Sequence, residues 1–295
     1  MTIDRPSRTA EYMALFRAVE TAERTDRRLF EDPYAAALLT GRLKALAGVA
    51  RLPAIGRVAT WFLDAGWPRT RSSAVVRTRL IDDLVRQAMR GGARQALLLG
   101  AGFDSRPYRL EELRDVPVFE VDHPSTQRAK RQRLEARLGR LPGNVRFVPV
   151  DFEKDDLEAA SVHADFDTGT VTVALWEGVV SYLTPASVDQ NFRMLARILA
   201  EQSQLIFSYV HQGALDGSVA FHEARRWKSS VRSSGEPFIF GFDPAGLADY
   251  LRPRGFALES DVSTAEAAKI YCQPIRRREP GSELYRIAAA RRAAV

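Results

Sequence analysis

Two rhythms of apolar positions divide the chain. Up to about residue 92 the rhythm is helical: Ala10–Ala22 carries apolar residues at three- and four-residue spacing, and Ser73–Met89 (SAVVRTRLIDDLVRQAM) repeats it until Gly91-Gly92 ends it. Between them, Asp32-Pro33 ahead of YAAALL and Gly41 predicts a further helix, with an aspartate cap, a proline in first position and a glycine stop. From Gly41 to Arg71 the pattern is broken by Gly48, Pro53, Gly56, Gly66 and Pro68, and reads as irregular cover or a lid. From Gln95 onward, short apolar runs alternate with helical segments. The predicted strands are Ala96–Leu99, Val116–Val121, Val145–Val150, Val171–Leu175, Leu205–Tyr209, Phe256–Asp261 and Leu284–Ala289. Helices are expected at Arg106–Arg114, Ser125–Leu138, Pro185–Ala200 and Pro244–Leu251. Fully apolar strands separated by helices imply an α/β fold, a seven-stranded, mostly parallel sheet with helices on both faces and an antiparallel closing pair. Residues 1–92 are expected to form a helical extension and lid, and residues 93–295 the main domain. Gly213–Phe242, rich in Gly, Ser and aromatics, is expected as an insertion over the sheet's carboxyl edge.

Composition narrows this further. A chain of 295 residues with 45% hydrophobic content buries one sizeable core plus an elaboration. The single cysteine, Cys272, excludes an internal disulfide and suits a reducing, cytoplasmic compartment. No run approaches the roughly 18 apolar residues of a membrane helix, so no membrane association is expected. The formal charge of +6 arises from 43 Lys and Arg against 37 Asp and Glu. Its local concentrations, Arg128–Arg140 and Arg276–Arg278, read as solvated faces; the first has no interleaved aromatics, so no nucleic-acid partner is expected. The histidines at 123, 163, 211 and 222 have no metal-ligand spacing, and no GxSxG elbow occurs, so neither a metal centre nor a serine nucleophile is expected. The chain carries no signal for oligomeric state.

The chemistry concentrates at Ala96–Leu110, ALLLGAGFDSRPYRL, and at the following VFEVDHP of Val118–Pro124. An apolar strand that stops at Gly100-Ala101-Gly102 and restarts as a helix brings bare backbone close to a ligand, and the next strand delivers Glu120 and Asp122 beside it. That predicts a nucleotide-cofactor site. A carboxylate at Asp122 can accept both hydroxyls of a ribose; Glu120 is assigned to the opposite strand face and ranked lower. In a dinucleotide site the third position of GxGxxG is a glycine and the helix start receives a diphosphate. Here Ser105 stands in that third position and Asp104 would repel phosphate, whereas a sulfonium cofactor with an ammonium group would welcome it. The long helical prelude and the antiparallel closing pair are also methyltransferase traits. A dinucleotide-dependent oxidoreductase and a non-catalytic binding module remain the alternatives.

The segments GAGFDSRPYRL (100–110), FEVDHP (119–124), VPVDFE (148–153), ALWEGVVSYLTP (174–185), RTRLIDDL (77–84) and LFEDPYAAAL (29–38) resemble the leucine carboxyl methyltransferase-type family of S-adenosylmethionine-dependent O-methyltransferases. The likeness runs from about Arg17 to Leu199 and fades beyond Tyr209. It implies a Rossmann-like class I methyltransferase with S-adenosylmethionine as cofactor. It also implies that the cofactor's methionine part lies on Gly100, Ala101 and Gly102, with Asp104 lining the same pocket and His123 beside the ribose acid. Asp151 and Phe152 would take the adenine, Glu177 the ammonium, and Arg77 the carboxylate, with Arg79 as the alternative clamp and Arg17 as a weaker second one. Glu177, if buried, requires a cationic partner. Tyr182, Tyr209, His211 and His222 are candidates for the acceptor side. The resemblance favours a small-molecule carboxylate as acceptor, which needs no base, over a polyketide-like phenol, which would need His211 or His222 to take its proton.

Overall fold

The computed structural model describes residues 7–52, 56, 61, 64–65, 69–150, 164–221 and 238–294. Its seven strands are β1 (Gln95–Leu99), β2 (Val118–Asp122), β3 (Val145–Pro149), β4 (Thr172–Trp176), β5 (Gln204–Val210), β6 (Phe256–Ser263) and β7 (Tyr285–Arg292). They form one sheet in the order β3-β2-β1-β4-β5-β7-β6. Only β7 runs antiparallel to its neighbours β5 and β6. The central strands β1, β4 and β5 are buried at every position, as expected where both faces are covered. At the β3 edge, Arg146 and Pro149 are exposed, a pattern that discourages pairing with a further strand.

The helices are α1 (Arg8–Thr21), α2 (Gly41–Ala50), α3 (Thr70–Arg90), α4 (Arg106–Arg109), α5 (Pro124–Leu138), α6 (Pro185–Ile198), α7 (Gln212–Asp216), α8 (Leu247–Leu251) and α9 (Thr264–Cys272). One face of the sheet packs Val173, Leu175, Ile206 and Ile287 against Val75, Ile81 and Val85 of α3 and Ala267 and Cys272 of α9. The other packs Phe119, Trp176, Phe207 and Tyr209 against Phe192 and Leu195 of α6 and Leu251 of α8. Phe192 is the hub there, with edge-on contacts to Trp176 and Phe207 at 5.3 Å between centroids. A third cluster joins α1 and α2 to Phe103, just past β1, and Leu134 of α5. Through it the first helix is seated on the loop that follows β1.

Three local expectations are corrected. The segment after Asp32 is a single 3-10 turn, Ala35–Leu38, not an α-helix. Asp32 accepts from the backbone N–H of Tyr34 and Ala35, its other carboxylate oxygen is taken by Arg17 and Ser105, and the turn ends at Leu39, whose backbone is extended. Gly41–Ala50, expected to be irregular, is α2. Finally, Arg106–Arg114 and Pro244–Leu251 each break into a four- or five-residue α-helix adjoining a 3-10 turn. Among the described residues no helix is long and apolar enough to cross a membrane.

Candidate active site

The carboxyl ends of β1, β2 and β4 meet at one edge of the sheet. After β1 the chain turns through Gly100 (φ +63°) and Gly102 (φ +42°), a left-handed conformation that favours glycine. A Cβ on Gly100 would also stand 2.3 Å from Val179 Cγ2. The turn is held from β2: Ala101 N–H donates to the Val121 carbonyl at 3.0 Å, and Gly102 N–H donates to Asp122 Oδ2. The second oxygen of Asp122 accepts from His123 N–H at 2.6 Å. Burial pushes the Asp122 carboxyl above the ordinary aspartate range, and the two N–H groups offset this only in part.

His123 caps α5, its Nδ1 lying 3.3 Å from the Ser125 amide and 2.8 Å from Ser125 Oγ. Of the ring, Nδ1 is thus committed to the helix, and its backbone N–H fixes Asp122. Glu120 shares the face of Asp122, because residues two apart in a strand point the same way; its assignment to the opposite face is corrected. It is fully buried, 2.8 Å from Lys130 Nζ, a close ion pair that lacks hydrogen-bond angles.

β4 ends at Trp176, and Gly178, whose N–H donates to Ser208 Oγ at 2.8 Å, anchors the turn that presents Glu177. The cationic partner required for Glu177 is double. Arg77 Nε donates to Oε1 at 2.6 Å from α3, and Arg106 Nη1 donates to Oε2 at 2.7 Å from α4. Arg106 also reaches Asp104 Oδ2 at 2.5 Å and Asp82 Oδ1 at 2.8 Å, and Arg109 holds Asp82 through both terminal nitrogens at 2.6 and 2.7 Å. Burial opposes ionisation of Asp104, but Arg106 and Lys130 outweigh it and hold the carboxyl at about 2. Burial likewise opposes ionisation of Glu177, and Arg106 with Arg77 again prevails, lowering it. Asp104 and Glu177 keep 15% and 17% of their side chains exposed.

The structure separates the two candidate clamps. Arg77 lies on Glu177, with Nη2 3.4 Å from Met13 Sδ, whereas Arg79 turns to Asp83 and the Leu29 carbonyl. Arg17 meets the glycine turn through the Phe103 carbonyl at 2.5 Å and is tied to Asp32 at 2.8 Å. On the acceptor side, Tyr182 packs against Phe238 with centroids 4.7 Å apart. His211, at the end of β5, packs against Phe221 and accepts from Gly213 N–H at Nδ1, 3.0 Å. Tyr209 is removed from that list: it is 2% exposed in the core and its hydroxyl donates to Asp261 at 2.8 Å. Asp151, Phe152, His163 and His222 lie outside the described residues.

The sequence profile of the family described as leucine carboxyl methyltransferase matches residues 10–196, the span that supplies every side chain of this cleft from Arg17 to Glu177. The chain belongs to the leucine carboxyl methyltransferase family. Relatives named S-adenosyl-L-methionine-dependent methyltransferases support this. One from Mycolicibacterium vanbaalenii is 31% identical, covering 96% of this chain and 94% of its own; another from Mycolicibacterium gilvum is 30% identical with the same coverage. Among solved structures, a Thermobifida fusca methyltransferase covers 99% of this chain and 97% of its own at a TM-score of 0.63 and 20% identity, a likeness of fold. This leucine carboxyl methyltransferase family member is therefore an S-adenosylmethionine-dependent methyltransferase, and the dinucleotide alternative falls. The cleft also holds residues that sequence reasoning did not single out: Asp82, Arg106, Arg109 and Lys130. Asp82 had a signal, an acid on the apolar stripe of α3 between Thr78 and Val85, and Arg106 and Arg109 stand in the segment after the glycine turn; Lys130 falls in Arg128–Arg140, expected as a solvated face, yet is buried.

Proposed function

We propose that the protein transfers a methyl group from S-adenosylmethionine to a carboxylate oxygen of a small molecule, forming a methyl ester. The donor set suits the cofactor. A tight glycine turn offers bare backbone, a single carboxylate held by two N–H groups suits a ribose diol, and an acid–arginine pair suits a zwitterionic amino-acid end. When bound, S-adenosylmethionine supplies a methyl already activated by the positive sulfur.

The chain's own residues bind and orient. Asp122 accepts the ribose hydroxyls, while His123 steadies it through the backbone. Gly100, Ala101 and Gly102 lie along the methionine part. Arg77 takes the carboxylate and Glu177, with Asp104, takes the ammonium, so the opposite charges of the ligand enter the present Arg77–Glu177 pair. Asp151 and Phe152 keep the adenine assignment from the resemblance. What remains for the protein is to align the acceptor oxygen and exclude water. Tyr182, Phe238 and Phe221 supply apolar walls at that edge.

The observation favouring a carboxylate over a phenol is the hydrogen bond at His211. Its Nδ1 accepts a backbone N–H, so in the neutral ring the proton sits on Nε2, which can only donate. A donor steadies an ionised carboxylate but removes no proton from a phenol. A small acidic, polyketide-like metabolite fits this reading, and the buried lone thiol of Cys272 fits a cytoplasmic setting. The test is incubation with S-adenosylmethionine and a panel of small aromatic and aliphatic acids and phenols, read by mass spectrometry. Gain of one methylene on acids, lost on alkaline ester hydrolysis, supports the proposal; gain on phenols alone refutes it.

A further inference from the structure

Beyond the residues assigned above, Arg106 is the most heavily engaged charge in the cleft. It is 3% exposed, and one guanidinium meets three carboxylates, Asp82, Asp104 and Glu177. A planar fork of five donors can do this, and the ammonium of a lysine cannot reproduce it. The charges tied into the Arg106 network close to zero: Asp82, Asp104 and Glu177 stand against Arg77, Arg106 and Arg109, while Asp122, outside that network, is held by two backbone N–H groups. The adjoining pairs Arg17–Asp32 and Lys130–Glu120 cancel as well.

That balance has a consequence for a methyltransferase. The donor carries a sulfonium and the product a neutral thioether, so a net negative cradle holds the donor far more tightly than the product. A neutral cradle treats them more alike. We propose that Arg106 is a positioning residue that determines charge selectivity: lying behind Asp104 and Glu177, it neutralises the cradle and fixes both acids in orientation, so that the cationic donor and the neutral product bind with comparable strength. The inference rests on reading the cleft as the S-adenosylmethionine site.

The test uses two ligands that differ mainly in charge at the reacting centre. S-adenosylhomocysteine carries neutral sulfur, and sinefungin carries an amine-bearing carbon that is cationic near neutral pH. Their dissociation constants are measured by calorimetry on the full chain for the wild type, Arg106→Gln, Asp104→Asn and the double variant. Arg106→Gln leaves one negative charge uncompensated and is expected to tilt the ratio of affinities toward sinefungin by about tenfold. Asp104→Asn leaves one positive charge and is expected to tilt it toward S-adenosylhomocysteine by about as much. In the double variant the ratio returns to within about threefold of the wild type.

A purely structural role weakens both ligands alike, so unchanged ratios in the single variants overturn the proposal. If Arg106→Gln does not fold, Arg106→Lys decides: it keeps the charge but not the fork, so both ligands weaken with their ratio unchanged, and a shifted ratio overturns the proposal. A wild-type protein that binds neither ligand overturns the cofactor reading and this inference with it, a failure distinguishable from an unshifted ratio in a protein that binds both.

Discussion

Asp82 is the buried anchor on which the arginines of the cleft rest, and Asp82→Asn tests that role quantitatively. Its carboxylate is 0% exposed and accepts three charged N–H bonds, one from Arg106 and two from Arg109, at 2.6 to 2.8 Å. Arg106 keeps Asp104 and Glu177 when Asp82 is neutralised. Arg109 then keeps the more distant charge of Asp32, Ser105 Oγ at 3.3 Å and the Phe30 ring, 5.5 Å from its guanidinium carbon. The substitution therefore leaves a buried cation without its direct counter-ion, a defect that costs about 3–5 kcal/mol. That is a large part of the roughly 5–15 kcal/mol that holds a domain folded. At about 2–4 °C per kcal/mol for a chain of comparable size, the melting temperature should fall by about 6–20 °C. Differential scanning fluorimetry without ligand measures this directly. Arg79→Gln is the control, because the Arg79–Asp83 pair is about one-third exposed and, once screened by solvent, contributes no more than about 1 kcal/mol. An Asp82→Asn protein melting within about 2 °C of the wild type would falsify the claim that Asp82 anchors the network.

Other outcomes follow from the same geometry. Asp122→Asn should lower the ligand-free melting temperature only slightly, because relief of a buried charge offsets the one backbone N–H that loses its acceptor, while abolishing the thermal shift given by S-adenosylhomocysteine; a retained shift contradicts the ribose assignment. Arg77→Met should weaken S-adenosylhomocysteine binding in calorimetry while Arg79→Gln leaves it unchanged, and the reverse order would move the clamp two residues on, about half a helical turn round α3. For Asp104, the folded carboxyl sits at about 2, below its ordinary 3.8, so its ionised form stabilises the fold above about pH 4 and that contribution is lost as the pH falls through 2. The stability gap between wild type and Asp104→Asn in denaturant titrations should therefore shrink on acidification, and a gap that widens contradicts the pairing with Arg106. Gly100→Ala should cost about 1–2 kcal/mol from its left-handed backbone alone, so the added substitution Val179→Ala should recover only part of the lost melting temperature.

The sheet was legible because its strands are short apolar runs, and each predicted strand overlaps an observed one. Helices whose stability comes from elsewhere were harder to read. α2 buries only Ala47, so it lacks the apolar stripe that would have announced it. α9 carries its signal openly, as the Ser-x-x-Glu box of Ser263 and Glu266, in which each side chain meets the other's backbone N–H, yet no helix is predicted between the strands Phe256–Asp261 and Leu284–Ala289. At the cleft, Asp122 and Glu177 stood out as acids that end strands. Arg106 and Arg109 did not, because α4 is a four-residue helix whose side chains acquire partners only when α3 and the turn after β4 close around them. Tyr209 shows the converse: an aromatic at a strand end reads as a wall of the acceptor site until the sheet order brings Asp261 of β6 to its hydroxyl.

The central claim is that the edge formed by β1, β2 and β4 seats S-adenosylmethionine through Asp122 and the Arg77–Glu177 pair. Titration calorimetry of S-adenosylhomocysteine into the wild type and Asp122→Ala tests it most directly. Saturable binding at one site per chain in the wild type, lost in Asp122→Ala, is the predicted result. Absence of binding in the wild type, or equal affinity in Asp122→Ala, contradicts the account.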